Sequence, residues 1–545
     1  MARFLVVTDT PGIKGFVFGT DALAEVRGAS ALLDRLNRVE TSGVLRRELS
    51  VAGGELEVVY ANGGIGQFLI DAPDVSAVHS ALAALSRFIL EATGGEIRIA
   101  FGLASFESEE CYKHDLDAAF NQMRDRRDRE HGHRAISLLP FMKECESASH
   151  LPAIAAERQA GKGLILSEAS WRKRDEKDRS RGGDLWSQWI EWLKAGDWPD
   201  DPKVWDDLRC ESINEIGKER EAIGLVYADG NAMGRLVQEL DSPEAARAFS
   251  EEIVDQSLRA ACFEALATAC APEIGLVKLG LRGSKSFRLP ADILLLGGDD
   301  LLVVLPAVRA LDFTRDVVRG FEDRTRARIK EESGRDSKID AFFSKWLKGR
   351  GLTISCGVAL AGPKYPFYLL LDLAEELLKN AKRSGTKAAA ALDPSDHFWS
   401  PAFVDFHRIS SSTGHKLSSA RESDYRTKTK QPRTLRPFAV DRLDVLSAQV
   451  RRLRRANFPR GKLHDLFEAA LDPSPKRAGR RVREIFSRCK QDARHPQRQA
   501  LWDAVKALKP EGETLDFPWF RSGEPSKLAI ADLVEAYDLF PEEAP

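Results

Sequence analysis

Across the first 105 residues, short apolar runs alternate with helical spacings. Residues 3–8 form a β-rich run, and residues 22–37 carry Leu23, Val26, Leu32, Leu33 and Leu36 at positions that share one helical face. Two further strands are predicted over 55–61 and 67–72. They are separated by Asn62-Gly63-Gly64-Ile65-Gly66, whose glycines tolerate the positive φ of a tight turn. A helix over about 75–93 and a strand over 96–104 close the segment. Residues 221–395 repeat this order. A strand over 222–228 precedes helices over 232–240 and about 244–270. Strands over 293–296 and 301–305 then flank Gly297-Gly298-Asp299-Asp300. A long helix over about 308–332, a strand over 352–361, a helix over 367–383 and a short strand over 388–392 follow.

The shared order is strand, helix, strand, tight turn, strand, helix, strand. It is the ferredoxin-like order on which polymerase-type palms are built. The expected fold is therefore α+β, with two diverged palm domains at 1–105 and 221–395. Residues 106–220 lack the rhythm and read as a helical connector. This stretch is strongly charged over 124–134 and 172–181 and holds Trp171, Trp186, Trp189, Trp192, Trp198 and Trp205, six of the ten tryptophans. Packing is the expected role for most of them, with base stacking as the alternative. Residues 396–545 read as a helical domain with loops.

Composition narrows the class. The 545 residues carry 81 Lys+Arg against 83 Asp+Glu, so the chain is not a wholly basic nucleic-acid binder. The exception is 451–498, with fifteen Lys/Arg against five Asp/Glu. This patch is suited to a nucleic acid or a phosphorylated ligand, or equally to neutralisation by the acidic stretch from Glu511. Seven cysteines, none in a CxxC pair, suggest a reducing cytoplasm. No apolar run reaches the roughly 18 residues of a membrane helix, and the N-terminus meets Asp9 too early for a signal-peptide core.

The candidate chemistry centres on Gly297-Gly298-Asp299-Asp300 between two apolar strands. Core packing asks for no adjacent carboxylates there. Two like charges at a hairpin tip stay ionised most readily beside a cation, and Mg²⁺ or Mn²⁺ favours such oxygens. Asp229 lies where the first strand of the same unit ends, and the ferredoxin-like order sets that strand beside the hairpin. Asp229, Asp299 and Asp300 are the expected metal-binding and catalytic residues of a two-metal attack at an α-phosphate. Gly297 and Gly298 leave room for a phosphate, and Gly230, Asn231 and Gly234 surround a helix start whose amides can receive phosphate oxygens. Lys382, Arg383 and Lys387 are candidates for gripping a triphosphate. Their alternative role is capping a helix C-terminus.

These residues resemble the second palm of the type III CRISPR effector large subunit, a GGDD palm related to GGDEF cyclases. Asp9-Thr10-Pro11-Gly12-Ile13-Lys14-Gly15-Phe16-Val17-Phe18 with Arg27-Gly28-Ala29-Ser30 is similar to the opening of that family's first palm. Leu139-Pro140 with Cys145 and Pro152-Ala153 resembles its connector. Val404-Asp405-Phe406-His407-Arg408 and Leu435-Arg436-Pro437-Phe438 resemble segments after its second palm. The resemblance implies joining of ATP into cyclic oligoadenylates in antiviral defence. The implied partners are guide RNA, target RNA and other effector subunits, with no membrane. Two further readings stand beside it: a catalytically silent large-subunit scaffold, and a stand-alone cyclase making a different cyclic nucleotide.

Three departures accompany the resemblance. No HD nuclease motif precedes the first palm, and His114-Asp115 and His464-Asp465 read as surface residues. Cys145 lacks a cysteine partner, with Ala148 where one would stand and only His150 nearby, so no zinc is expected. The first palm carries Ile65-Gly66 where the second carries Asp299-Asp300. It is therefore expected to be non-catalytic, with Asn62, Gly63 and Gly64 facing a second nucleotide's pocket.

Overall fold

A computed structural model describes residues 1–545 except 21, 131–140, 149, 160–161, 180–183, 195–207, 218–221, 279–287, 410–433, 473, 493–495, 522–526 and 541–545. Trp198, Trp205, Leu139 and Pro140 lie outside the described residues.

The first palm is a four-stranded antiparallel sheet of order β2-β3-β1-β4, built from β1 (Ala2–Asp9), β2 (Glu55–Asn62), β3 (Ile65–Ala72) and β4 (Ala100–Ser105). The second sheet has six strands. Its β7 (Ile223–Gly230), β8 (Asp292–Gly297), β9 (Asp300–Pro306) and β10 (Ile354–Ala361) reproduce the four-strand order of the first. Alternation along the strands feeds two cores. Leu5, Val7, Val226 and Ala228 enter one, while Phe4, Val6, Leu225 and Tyr227 enter the other. The duplication extends into the helices behind the sheets. Helix Tyr112–Glu130 follows β4 as helix Phe367–Leu392 follows β10. Gly102, Ala119, Met123 and Arg127 each precede their counterparts Gly357, Ala374, Leu378 and Lys382 by 255 positions.

Several expectations are corrected. Residues 388–392 are not a strand, because the preceding helix runs on to Leu392. A Cβ on Gly385 would stand 2.7 Å from the Pro401 carbonyl oxygen, so the Ser384-Gly385 pair marks a close crossing rather than a helix end. The connector is not purely helical, because β5 (Ala155–Gln159) and β6 (Lys162–Leu166) pair antiparallel. The segment after 395 does not begin as a helical unit. Its β11 (Phe403–Arg408) joins β10 in parallel, and β12 (Phe438–Ala439) extends the same sheet. Asp115 is buried, with His114 Nδ1 3.1 Å from its Oδ1, so only His114 of that pair is a surface residue. Helix Val75–Ala92 is long and apolar enough to cross a membrane, but it packs Val78, Leu82, Leu85 and Ile89 into the first palm's core.

Trp186 and Trp189 are fully buried core residues, whereas Trp192 is 39% exposed. Cys145 is buried with its Sγ 3.6 Å from Ser170 Oγ. In the basic C-terminal helices, Arg477 pairs with nearby Asp472, and Arg460 pairs with Asp538 of the acidic C-terminal stretch.

Candidate active site

The catalytic candidates stand on the β8–β9 hairpin. Gly297 pairs with Asp300, leaving Gly298 and Asp299 as a two-residue turn, with Gly298 at φ +59°. The first palm carries the matching hairpin, with Asn62 paired to Ile65 around Gly63 and Gly64. The structural counterparts of Asp299 and Asp300 are therefore Gly64 and Ile65, one residue earlier than the sequence comparison set them. The two tips meet. A Cβ on Gly63, itself at φ +59°, would stand 3.3 Å from Gly298 Cα.

β7 runs beside β9 with Ala228 opposite Leu301, which carries Asp229 to the level of Asp300. The three acids sense one another. Asp299 is half-buried, and desolvation, then Asp229 and Asp300, push its carboxyl up to about 8, with Lys382 opposing. Asp300 is pushed up to about 7 by desolvation and Asp229, against Lys14, Lys382 and the nearby Tyr227 hydroxyl. Burial, then Asp300 and Asp229, raise that hydroxyl far above its ordinary value. Lys382 Nζ lies 2.7 Å from Asp229 Oδ2 and donates at 2.7 Å to the Gly230 carbonyl. A Cβ on Gly230 would come within 2.6 Å of Asp299 Oδ2, so glycine there gives that carboxylate its space.

Two cavities flank the hairpin. One of about 320 Å³ lies between the palms, where Asn62, Gly63, Gly234, Gly298 and Asp299 face Arg124 and Arg127 of the connector helix. A smaller one of about 80 Å³ brings Lys14 and Arg38 to Gly297 and Asp300. A third, of about 170 Å³, is lined by Asn231, Lys382 and Thr386.

The remaining candidates separate. Gly64 turns away from the cleft, because its Cβ would strike Ile13. Asn231 hydrogen-bonds Thr353 through its side chain at 2.9 Å and reaches the third cavity at its rim. Arg383 and Lys387 are exposed on other faces of their helix. Thr386, one turn beyond Lys382, shares its cavity. With the helix continuing to Leu392, none of the three basic residues caps a C-terminus.

The sequence reading missed Lys14, which stacks its ammonium 4.5 Å from the Tyr227 ring and pairs with Glu375 at 3.3 Å. It also missed Asp9 and Arg127. Asp9 ends β1 as Asp229 approaches the end of β7, and Arg127 Nη1 donates to it at 3.2 Å, so the first palm repeats the Asp229–Lys382 pair. For Arg127 the available signal was its 255-residue offset from Lys382; Asp9 precedes Asp229 by 220 positions and does not share that offset.

Among the described residues, no three His, Cys, Asp or Glu side chains stand close enough to hold a metal ion unaided. Two half-buried carboxylates beside an open cleft nevertheless fit Mg²⁺, which is usually held by one or two carboxylates with water and substrate phosphates supplying the rest. The mutual repulsion of Asp299 and Asp300 is the charge such an ion would neutralise.

Residues 222–391 match the family described as Cas10/Cmr2, second palm domain. Three solved structures share the fold. Csm1 in T. onnurineus aligns at 14% identity with a TM-score of 0.51, over 94% of this chain and 67% of that one. A Csm1–Csm4 cassette in complex with one ATP aligns at 14% identity and TM-score 0.51, over 93% and 69%. The cassette in complex with cA4 aligns at 14% identity and TM-score 0.50, over 93% and 70%. No curated protein matches in sequence. The resemblance to the type III CRISPR large subunit, stated from the second-palm motif, agrees with these findings.

Proposed function

We propose that the chain is a metal-dependent nucleotidyltransferase that joins ATP into cyclic oligoadenylates, working as a large-subunit-like component of a type III CRISPR effector. The observation that carries this reading is the Asp299–Asp300 hairpin tip set against Asp229 at the mouth of an inter-palm cleft. The second-palm match and the structures of Csm1 with one ATP and with cA4 support the substrate and product class.

Asp299 and Asp300 would hold the divalent ion, which when bound lowers the attacking hydroxyl's pKa and offsets phosphoryl charge. Lys382, oriented by Asp229, places a cation beside the tip for the polyphosphate. Arg124 and Arg127 line the opposite wall of the cleft, where a second nucleotide would lie against Asn62 and Gly63. Ile65 at the position of Asp300 leaves the first palm without a carboxylate pair, so its role is binding rather than chemistry.

The test is incubation of the chain, alone and with companion subunits and target RNA, with Mg²⁺ or Mn²⁺ and each nucleoside triphosphate, read by mass. Oligoadenylate from ATP is expected. A product lacking adenine would support the stand-alone cyclase instead, and no product under any condition would support the scaffold.

A further inference from the structure

Behind the hairpin lies a charge network that the proposed chemistry does not use. Asp255 is buried at 4% exposure and ends the π-helical stretch Ala248–Asp255. Its Oδ1 accepts the Gly298 amide at 3.3 Å. Arg38 Nη2 donates to both of its oxygens at 2.9 Å, and Arg259 Nε to Oδ2 at 3.0 Å. Arg259 also donates to the Leu296 carbonyl at 3.2 Å and to Gln188 Oε1 at 2.6 Å. Asp34 accepts from Arg38 at 2.8 Å and pairs with Arg259 at 3.4 Å. Two acids and two guanidinia balance, which leaves no net charge to attract a ligand. The hairpin backbone is thus gripped at Leu296 and Gly298, immediately before the two acids. Arg38 reaches the grip from the first palm, on a second π-helical turn, Leu36–Glu40. Such turns are rare and recur at functional sites.

We propose that Asp255 is a positioning residue: it fixes the Asp299–Asp300 tip through the Gly298 amide and ties that position to docking of the first palm through Arg38. The proposal rests on the nucleotidyl-transfer reading, so its test includes a measurement that needs no activity. Asp255→Asn keeps an oxygen for the amide but loses the charge facing Arg38 and Arg259, and Asp255→Ala removes both. Amide hydrogen exchange over residues 294–301 is expected to accelerate about tenfold or more in Asp255→Ala, and less in Asp255→Asn, given that a charge-assisted hydrogen bond is lost. Turnover is expected to fall about tenfold with the nucleotide KM held within about twofold, because the group acts on geometry and not on binding. Arg38→Gln combined with Asp255→Ala should be no worse than Asp255→Ala alone. Unchanged exchange in Asp255→Ala, or strictly additive effects of the two substitutions, would overturn the proposal. If the wild-type protein makes no product, the reaction fails while hairpin exchange still decides the grip.

Discussion

Asp299→Asn should stabilise the metal-free protein while abolishing its chemistry. In the folded chain Asp299 ionises only near pH 8, against 3.8 for the free acid, because burial and the charges of Asp229 and Asp300 oppose it. At pH 6 the folded carboxyl is therefore neutral, and an amide replaces it with little change of shape. The unfolded carboxyl is ionised at that pH, which favours the unfolded wild type. Each tenfold in that equilibrium is about 1.4 kcal/mol, so the interval from 3.8 to pH 6 amounts to about 3 kcal/mol. The cleft wets one side of the acid, and solvent screening brings the expected gain of the variant to about 1–3 kcal/mol. The sign follows from the raised value. The folded state keeps the proton longer, so wild type loses stability as the pH climbs from 3.8 towards 8, and the variant escapes that loss. Urea unfolding of both proteins at pH 4 and pH 6, without divalent ions, reads the difference. Added Mg²⁺ should then stabilise wild type and not the variant. A variant no more stable at pH 6, or one whose advantage is equally large at pH 4, would refute the reasoning.

Three other outcomes follow from the same geometry. Lys382→Ala should raise the apparent KM for ATP about tenfold through loss of a charge-assisted contact, while Lys387→Ala leaves it unchanged, as steady-state kinetics would show. Mg²⁺ affinity should rise with pH between 6 and 8 as Asp300 and then Asp299 lose their protons, and calorimetry in buffers of different ionisation enthalpy should detect proton release. A pH-independent affinity would remove these acids from the metal site. Gly63→Val should cost about 1–3 kcal/mol in stability, because φ of +59° disfavours a branched side chain and the added Cβ meets Gly298; thermal unfolding checks it.

Much of the site was legible because it depends on local signals. The Gly297-Gly298-Asp299-Asp300 turn between apolar strands and the Asp229 strand end both follow period-2 alternation and turn chemistry. What escaped depends on tertiary contact. The helix through Lys382 looked finished at Ser384-Gly385, yet that glycine serves the crossing at Pro401. Lys387 looked like a partner of Lys382, but a helix turns 100° per residue, and Thr386 occupies the shared face. The first-palm turn was misaligned by one position because composition does not reveal which residues close a hairpin. Asn62–Ile65 pairing does. The π-helical turns at Leu36–Glu40 and Ala248–Asp255 leave no mark in hydrophobic periodicity, so the Arg38–Asp255 contact was invisible before the two palms were docked.

The most direct measurement is conversion of ATP with Mg²⁺ by the chain in its effector assembly, comparing wild type with the Asp299→Ala, Asp300→Ala double variant by mass and pyrophosphate release. Oligoadenylate from wild type, and none from a double variant that unfolds no more readily, is the predicted result. Undiminished product from the double variant would contradict the assignment of chemistry to the hairpin tip.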